Sequence, residues 1–233
     1  MKAAAQSTPE IVRDFERVSP EVVAEASRFA ASILADVAGR RGTMHGRIAP
    51  LAPSMRMAGP AFTVDVRAGD NLMVHAAVAL ARPGDVLVID GKGDLSCALM
   101  GSLMMNTCRE AGIAGVVIDG AVRDVDELRE LGFPVYAAGA NPNGPTKLVP
   151  GRINWPISCG GIAVRPGDLV VGDADGVVVI EREKAPQLLP SAAKKVAEEK
   201  ARLEEIVSGR QLKPGWLDAA LRSVGVLGPD ESL

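Results

Sequence analysis

Short apolar runs bounded by glycine alternate with amphipathic stretches through the middle of the chain. Two of these runs, "DVLVID" (Asp85–Asp90) and "GVVIDG" (Gly115–Gly120), are rich in β-branched residues, which is typical of buried strands. Between them, "SLMMNTCREAG" (Ser102–Gly112) has the apolar spacing of a helix of about three turns. A strand, a helix and a second strand in this order predict a β–α–β unit, and therefore an α/β fold.

Further elements are predicted on both sides of this unit. Apolar residues recur at helical spacing over residues 18–42, where Ser19 can cap and Pro20 suits the first turn, so we expect one helix there. A strand with alternating apolar residues is expected over residues 59–71, a short helix over 71–84 and another strand over 133–139.

From residue 140 onward, the pattern changes from alternating strands and helices to a Gly- and Pro-rich segment followed by charged helices. Residues 140–180 are rich in Gly and Pro and predict a β-dominated segment packed on the same core. A long charged helix is expected from about Lys184 to Val207, and a shorter one near Trp216–Arg222. Because no linker or low-complexity stretch divides the chain, we predict a single domain, with a core at about 18–183 and a C-terminal helical extension at about 184–233.

Composition and charge narrow the class of protein. The chain has 233 residues, 47 % hydrophobic and 24 % charged, which is the ordinary profile of a soluble globular protein. Its net charge of −3, with no basic cluster beyond Arg40-Arg41, argues against nucleic acid as a partner but leaves a small anionic substrate open. Three cysteines without metal-binding spacing indicate reduced thiols. No signal-like segment or membrane span is evident, so we expect a cytoplasmic protein.

The adjacent pair Arg123-Asp124 follows the predicted strand Gly115–Gly120 and precedes a helix-like pattern. One interpretation is structural: Asp124 with Glu127 three residues later has the form of a capping box, and Arg123 is then a solvated loop residue. The other is functional, because α/β proteins place their sites at the carboxyl ends of strands. A planar cation beside a carboxylate can hold an α-keto acid and a divalent metal together.

Three further features are weighed as candidates for chemistry: the helix start at Gly101-Ser102, His75, and the pair Glu198-Glu199. Gly101-Ser102 opens a predicted helix whose first free N–H groups lie near Leu103 and Met104, and a helix start of this kind can bind an anion. Ser102 can equally be a simple cap of that helix, and the two roles are compatible. His75 lies in an apolar helix, which indicates a hydrogen-bonded core residue rather than a base. The pair Glu198-Glu199 lies on a charged helix, where a solvated face is the usual explanation.

Taken together, the run "GDNLMVHAAVALARPGDVLVIDGKGDLSCALMGSLMMNTCREAGIAGVVIDGAVRDVDEL" (Gly69–Leu128) resembles the RraA-like family. That family includes 4-hydroxy-4-methyl-2-oxoglutarate/4-carboxy-4-hydroxy-2-oxoadipate aldolases and regulators of ribonuclease activity. The similarity extends from about Val18 to Gly209. It implies a compact αββα-type sandwich of the swivelling-domain kind, assembled as trimers or dimers of trimers with sites at subunit interfaces.

The resemblance also implies roles for individual residues. The family's arginine, which matches Arg123, binds pyruvate and stabilises its enolate, and the following aspartate, Asp124, holds Mg or Mn largely through waters. The substrate carboxylate meets backbone N–H groups that match Leu103 and Met104. In the family, a glutamate from a neighbouring subunit's C-terminal helix completes the metal shell. We match this glutamate to Glu199, and Glu198 is the alternative.

The sequence departs from the family pattern at one position. The family has an acidic residue twenty-one positions before the arginine, and Ser102 stands there in this chain. A hydroxyl group can hydrogen-bond but cannot serve as a carboxylate base, so the departure bears on aldolase activity or on the choice of substrate. A metal-bound hydroxide or another water could still move the proton.

Two functions are therefore predicted from different classes. The first is a metal-dependent lyase that cleaves 4-hydroxy-2-oxo diacids to pyruvate and also decarboxylates oxaloacetate, because both reactions pass through the pyruvate enolate. The alternative is a non-catalytic regulator that binds a ribonuclease or a helicase. The C-terminal helix favours the aldolases, whereas Ser102 favours the regulators.

Overall fold

A computed structural model of the chain describes residues 10–210 and 212–233. The helices are α1 (Pro20–Ala26), α2 (Ala31–Val37), α3 (Leu72–Leu80), α4 (Ser102–Glu110), α5 (Val125–Leu131), α6 (Ala185–Val207) and α7 (Leu217–Ser223). The strands are β1 (Ala49–Pro50), β2 (Met57–Asp65), β3 (Val86–Met100), β4 (Gly115–Val122), β5 (Val135–Ala140), β6 (Arg152–Ile153), β7 (Ile157–Cys159), β8 (Ile162–Val164), β9 (Leu169–Asp173) and β10 (Gly176–Ile180).

The chain divides into two compact units, Met1–Ala192 and Ala193–Leu233. The first contains the strands β1 to β10 and the helices α1 to α5, together with the first residues of α6. The second consists of the rest of α6 and of α7. Within the described ranges, no helix combines the length and the apolar character that crossing a bilayer requires.

The main sheet has the strand order β1-β5-β4-β3-β2-β9-β10, and β6 pairs with β2. Strands β2, β3, β4 and β5 run parallel, and α3, α4 and α5 connect them in turn. The antiparallel hairpin of β9 and β10 extends the sheet beyond β2, while β7 and β8 form a separate ribbon. The predicted β–α–β unit and mixed α/β architecture are confirmed.

Both faces of the parallel strands are buried. In β3, Leu87 and Ile89 pack on the side of α3, α4 and α5, whereas Val86 and Val88 pack on the opposite side against the Gly- and Pro-rich segment. This alternation follows from the two-residue period of a strand, and it explains the unbroken β-branched runs in the sequence.

The predicted helix over residues 18–42 is wrong in one respect, because two helices form there. Ser19 caps α1, its hydroxyl accepting from the Val22 N–H at 3.4 Å, and Pro20 is the first helical residue, as predicted. After a break, α2 begins where the buried carboxylate of Asp173 accepts a hydrogen bond from the Ala31 N–H at 2.8 Å. That cap comes from a strand 142 residues away, so local periodicity could not reveal it.

Strand β3 is longer than the run that predicted it. It continues beyond Asp90 as an irregular segment to Met100, and its register with β4 shifts between Ile89 and Asp94 and again before Met100. The extension ends with Met100 paired to Val122, the last residue of β4. This pairing brings the residues after β3 and the residues after β4 to the same place.

Candidate active site

The start of α4 and the pair Arg123-Asp124 are adjacent because β3 and β4 end side by side. The Arg123 N–H donates to the carbonyl of Met100 at 3.1 Å, which joins the two strand ends. Gly101 and Ser102 therefore face Arg123 and Asp124 at the carboxyl edge of the parallel strands. That edge is where open α/β sheets usually bind their ligands.

Asp124 does not cap the helix that it precedes. It occupies the N-cap position of α5, but its side chain makes no capping hydrogen bond there. Instead, its Oδ2 accepts a hydrogen bond from the Ser102 N–H at 2.9 Å, at the start of α4. The capping-box interpretation is thus wrong. The backbone of Asp124 is left-handed, with φ 61° and ψ 39°, a conformation that aspartate tolerates better than most residues and that is enriched at functional sites.

Gly101 makes this contact possible because it has no side chain. A Cβ at this position would overlap Asp124 Oδ2 and would lie 2.9 Å from Cγ and 3.1 Å from Nε of Arg123. The φ of Gly101 is −144°, so its role is steric rather than conformational. The glycine lets the side chains of Arg123 and Asp124 approach the helix start.

The N-terminus of α4 presents backbone donors to the same place. The Met105 N–H makes the first hydrogen bond of the helix, to the carbonyl of Gly101 at 3.1 Å, so the N–H groups of Ser102, Leu103 and Met104 precede it. Asp124 accepts the first of these. The N-cap position belongs to Gly101, which makes the simple capping role of Ser102 wrong. Leu103 and Met104 are left as the donors for an anion.

These residues line one cleft of about 320 Å³. Arg123 and Asp124 lie within it as a loose ion pair, with 3.7 Å between Nε and Oδ2 and with 44 % and 34 % of their side chains exposed. Such a pair contributes little stability, which leaves both groups available to a ligand. The other lining residues are Asn71, His75, Ala98, Leu99, Met100, Gly101, Ser102, Leu103, Met104, Glu127, Pro145 and Lys147.

Sequence reasoning missed several of these residues. His75 is exposed on α3 and lines the cleft, so its assignment to the core is wrong. Although the side chain is exposed, partial desolvation of the ring, and then the positive charge of Lys147, lower the pKa of His75. Lys147 lies on a loop after β5 whose position depends on contacts that no local pattern encodes.

A buried carboxylate fixes that loop. Asp70, with 1 % exposure, accepts from the Thr146 hydroxyl at 2.6 Å and from the N–H groups of Leu148 and Val149 at 2.7 and 3.2 Å. Burial alone would raise the pKa of Asp70, but the hydrogen bonds lower it to about 2. The loop is further joined by the Asn71 N–H, which donates to the carbonyl of Thr146 at 3.0 Å. Asp70 thus holds the residues on both sides of Lys147.

Glu198 and Glu199 lie in the second unit, on α6. Each forms an i,i+4 ion pair with a lysine, Lys194 with Glu198 at 3.6 Å and Lys195 with Glu199 at 3.3 Å. Both are the solvated pairs that the charged helix indicated. Among the described residues, no group of three or more His, Cys, Asp or Glu side chains could hold a metal ion. A metal role for Glu199 stays a prediction.

Comparisons with known proteins give a consistent result. The Aldolase/RraA model matches residues 21–179. A protein of Halalkalibacterium halodurans named "Putative 4-hydroxy-4-methyl-2-oxoglutarate aldolase" is 47 % identical over 155 residues, which are 66 % of this chain and 74 % of that protein. The crystal structure of Streptomyces coelicolor RraAS2, titled an unusual member of the RNase ES inhibitor RraA protein family, is 30 % identical with a TM-score of 0.71, covering 81 % of this chain and all of that one. The RNA-processing inhibitor RraA from Thermus thermophilis is 31 % identical with a TM-score of 0.60, covering 65 % and 92 %.

Proposed function

Because this chain belongs to the Aldolase/RraA family, we propose that it is a divalent-metal-dependent lyase that cleaves 4-hydroxy-2-oxo diacids to pyruvate. The observation that carries the proposal is the placement of Arg123 and Asp124 against the N-terminus of α4, inside one cleft. The same site would decarboxylate oxaloacetate, because that reaction also passes through the pyruvate enolate.

The chain's own residues supply the binding of the keto acid. The N–H groups of Leu103 and Met104 would hold the C1 carboxylate, helped by the positive end of the helix dipole. The guanidinium of Arg123 would bind the keto oxygen and stabilise the negative charge that develops there as the C3–C4 bond breaks. Arg123 is suited to this role because Asp124 engages only one edge of its guanidinium, and loosely.

The cleavage also needs a proton to leave the C4 hydroxyl, so that C4 becomes a carbonyl while the bonding pair passes to the enolate. Ser102 cannot accept it, since a hydroxyl is too weak a base. The cleft offers two carboxylates, Asp124 and Glu127, and either could take the proton directly or through a water. A proton returned to C3 of the enolate then gives pyruvate.

The residues of the cleft fit a hard divalent cation held mainly by water. Asp124 uses Oδ2 for the Ser102 N–H and keeps Oδ1 without a hydrogen-bond partner among the described residues, while Glu127 lines the same cleft. Mg²⁺ commonly binds through one or two carboxylates and retains several waters. When bound, the metal would act as a Lewis acid toward the keto and carboxylate oxygens. Asp124 would hold it, with Glu199 of a neighbouring copy as the further proposed ligand.

Release of pyruvate by the purified full chain tests the proposal. With Mg²⁺ or Mn²⁺, we expect pyruvate from 4-hydroxy-4-methyl-2-oxoglutarate and from oxaloacetate, measured by coupling to lactate dehydrogenase. Chelation by EDTA should abolish release, and adding the metal back should restore it. Arg123→Ala and Asp124→Ala should each lose most of the activity. Absence of pyruvate from both substrates, with either metal, would refute the proposal.

A second function, from another class, is a non-catalytic regulator that binds a ribonuclease or a helicase. The solved RraA structures support it by their names, and Ser102 supports it by removing the family's carboxylate from the site. Capture of a ribonuclease or helicase from cell lysate by the tagged chain, together with no pyruvate release, would favour this function. Pyruvate release that Arg123→Ala abolishes would favour the aldolase.

A further inference from the structure

Arg123 carries the positive charge of the proposed site on a long side chain that is 44 % exposed. A flexible guanidinium stabilises a developing enolate effectively only if it is held in the right place. The ion pair with Asp124 is loose, with 3.7 Å between Nε and Oδ2, and such a pair does not fix a side chain alone. The position of the guanidinium therefore depends on the backbone around it.

Two glycines border the side chain of Arg123. A Cβ at Gly101 would lie 2.9 Å from Cγ and 3.1 Å from Nε, and a Cβ at Gly144 would lie 3.0 Å from Nη1. The φ of Gly144 lies outside the left-handed region, so a glycine there provides space rather than an unusual backbone conformation. The backbone thus limits the guanidinium both at Nε and at Nη1.

Asn141, the residue after β5, joins the end of β4 to the irregular part of β3. Its backbone N–H donates to the carbonyl of Val122, one residue before Arg123, at 2.9 Å. Its side-chain Nδ2 donates to the carbonyl of Leu95 at 2.8 Å. Leu95 lies in the stretch 94–98, where the register of β3 with β4 shifts. The amide of Asn141 therefore provides a connection between segments whose strand pairing is interrupted.

The same side chain shapes the loop of residues 141–144, which leads to Gly144. Asn141 Oδ1 accepts a hydrogen bond from the Asn143 N–H at 2.8 Å, the local turn that asparagine commonly makes with the backbone two residues later. The carbonyl of Asn143 in turn accepts from the Ala98 N–H at 2.8 Å. Because both ends of its amide are engaged, Asn141 holds the 141–144 loop against β3 and β4.

Building on the proposed function, we infer that Asn141 is a positioning residue for Arg123. It holds the 141–144 loop so that Gly144 borders Nη1, and the guanidinium keeps the orientation that stabilises the enolate. Asn141 acts through the loop rather than by touching the substrate. The sequence "NPNG" at these positions is typical of an ordinary surface turn, so local pattern gives no sign of the role.

Pyruvate release from oxaloacetate with Mn²⁺, measured beside a thermal melt, tests the inference. Asn141→Ala should lower kcat/KM about tenfold, because we expect Arg123 to move by less than the distance of about 1 Å that commonly costs a hundredfold. Its melting temperature should fall by at most about 8 °C, the effect of two lost hydrogen bonds in a chain of this size. Gly144→Ala requires Nη1 to move by about 0.4 Å, from 3.0 Å to an ordinary contact of 3.4 Å, and should lower kcat/KM about fivefold. Gly46→Ala is the matched control, because a Cβ there meets no atom within 4 Å, and it should lose nothing.

A double-mutant cycle with Arg123→Lys separates positioning from a general structural effect, because lysine keeps the positive charge but has no Nη1. In that background, Asn141→Ala and Gly144→Ala should each change kcat/KM by less than about twofold. If Arg123→Lys is no faster than Mn²⁺ alone, the dissociation constant of oxalate, a planar analogue of the pyruvate enolate, is measured by calorimetry instead. The same pattern of losses is expected there.

Wild-type activity in both Asn141→Ala and Gly144→Ala would overturn the inference. Losses of equal size in the wild-type and Arg123→Lys backgrounds would also overturn it, since the two residues would then act on something other than the guanidinium. Either result leaves the proposed function intact, because the wild-type chain is active in both. Absence of pyruvate release by the wild-type chain would instead refute the proposed function, on which the inference rests.

Discussion

Replacing Gly101 with alanine tests the geometry of the candidate site with a single methyl group. The new Cβ would overlap Asp124 Oδ2, and an ordinary contact of 3.4 Å requires the carboxylate to move by about 1 Å. The movement would break or lengthen the 2.9 Å hydrogen bond to the Ser102 N–H and would shift the side chain of Arg123 as well. Both proposed catalytic groups would then be misplaced together.

The magnitudes separate an effect on activity from an effect on folding. Loss of the cap on α4 costs about 1 kcal/mol. Because the φ of −144° is open to alanine, a gain of roughly 0.4–1 kcal/mol from the less flexible unfolded chain offsets much of that cost. Activity should suffer far more, since a misplacement of about 1 Å commonly lowers the rate about a hundredfold.

The assay is pyruvate release, measured beside a thermal melt. Gly46→Ala is the matched control, because Gly46 is exposed and a Cβ there meets no atom within 4 Å. We expect Gly101→Ala to lose about two orders of magnitude in kcat/KM with a nearly unchanged melting temperature, and Gly46→Ala to lose nothing. Full activity in Gly101→Ala would show that the contact of Asp124 with α4 is irrelevant to the reaction.

Three individual side chains support further predictions. The pKa of Asp70 falls from 3.8 to about 2 on folding, which corresponds to about 2 kcal/mol of stability. This stability is present above pH 4 and is lost as the pH falls toward 2. The free energy of unfolding of Asp70→Asn, measured with urea, should lack this contribution and its dependence on pH. Arg17 holds the buried Asp85 by two hydrogen bonds of 2.7 and 3.0 Å, so Arg17→Met should cost about 3 kcal/mol in the same assay, and a cost below about 1 kcal/mol would contradict the pairing. The Ser102 hydroxyl makes no hydrogen bond among the described residues, so Ser102→Ala should retain activity within about threefold, and a larger loss would give the hydroxyl a role in the reaction.

The sequence predicted the parallel strands and their connecting helices because both depend on local spacing of apolar residues. β-Branched runs between glycines marked β3 and β4, and both are buried on the two faces of the sheet. Prediction from local spacing failed where a contact with a residue distant in sequence determines where a helix or strand begins or ends. The division into α1 and α2 depends on Asp173, and the extension of β3 to Met100 depends on its irregular pairing with β4.

The candidate site shows the same limit at the level of single residues. Local pattern identified Asp124 and the start of α4 separately, and it assigned to Asp124 a cap on its own helix. The structure joins the two, because the carboxylate caps α4 across 22 residues of sequence. Lys147 could not be identified, since it is an ordinary polar loop residue until Asp70, 77 positions earlier, fixes the loop around it. The sequence marks Gly101 as the start of a helix, but only the structure shows that its missing side chain leaves room for Asp124 Oδ2.

The most direct test of the central claim is pyruvate release by Asp124→Asn. Asparagine tolerates the left-handed backbone, and its amide oxygen can still accept the Ser102 N–H, but it carries no charge for a metal ion or a proton. If Asp124 serves the reaction as proposed, this variant will melt like the wild type and lose at least about a hundredfold in kcat/KM in the presence of Mn²⁺. If Asp124→Asn retains wild-type activity while Asp124→Ala unfolds or loses stability, Asp124 is only a cap of α4, and the account of the site is wrong.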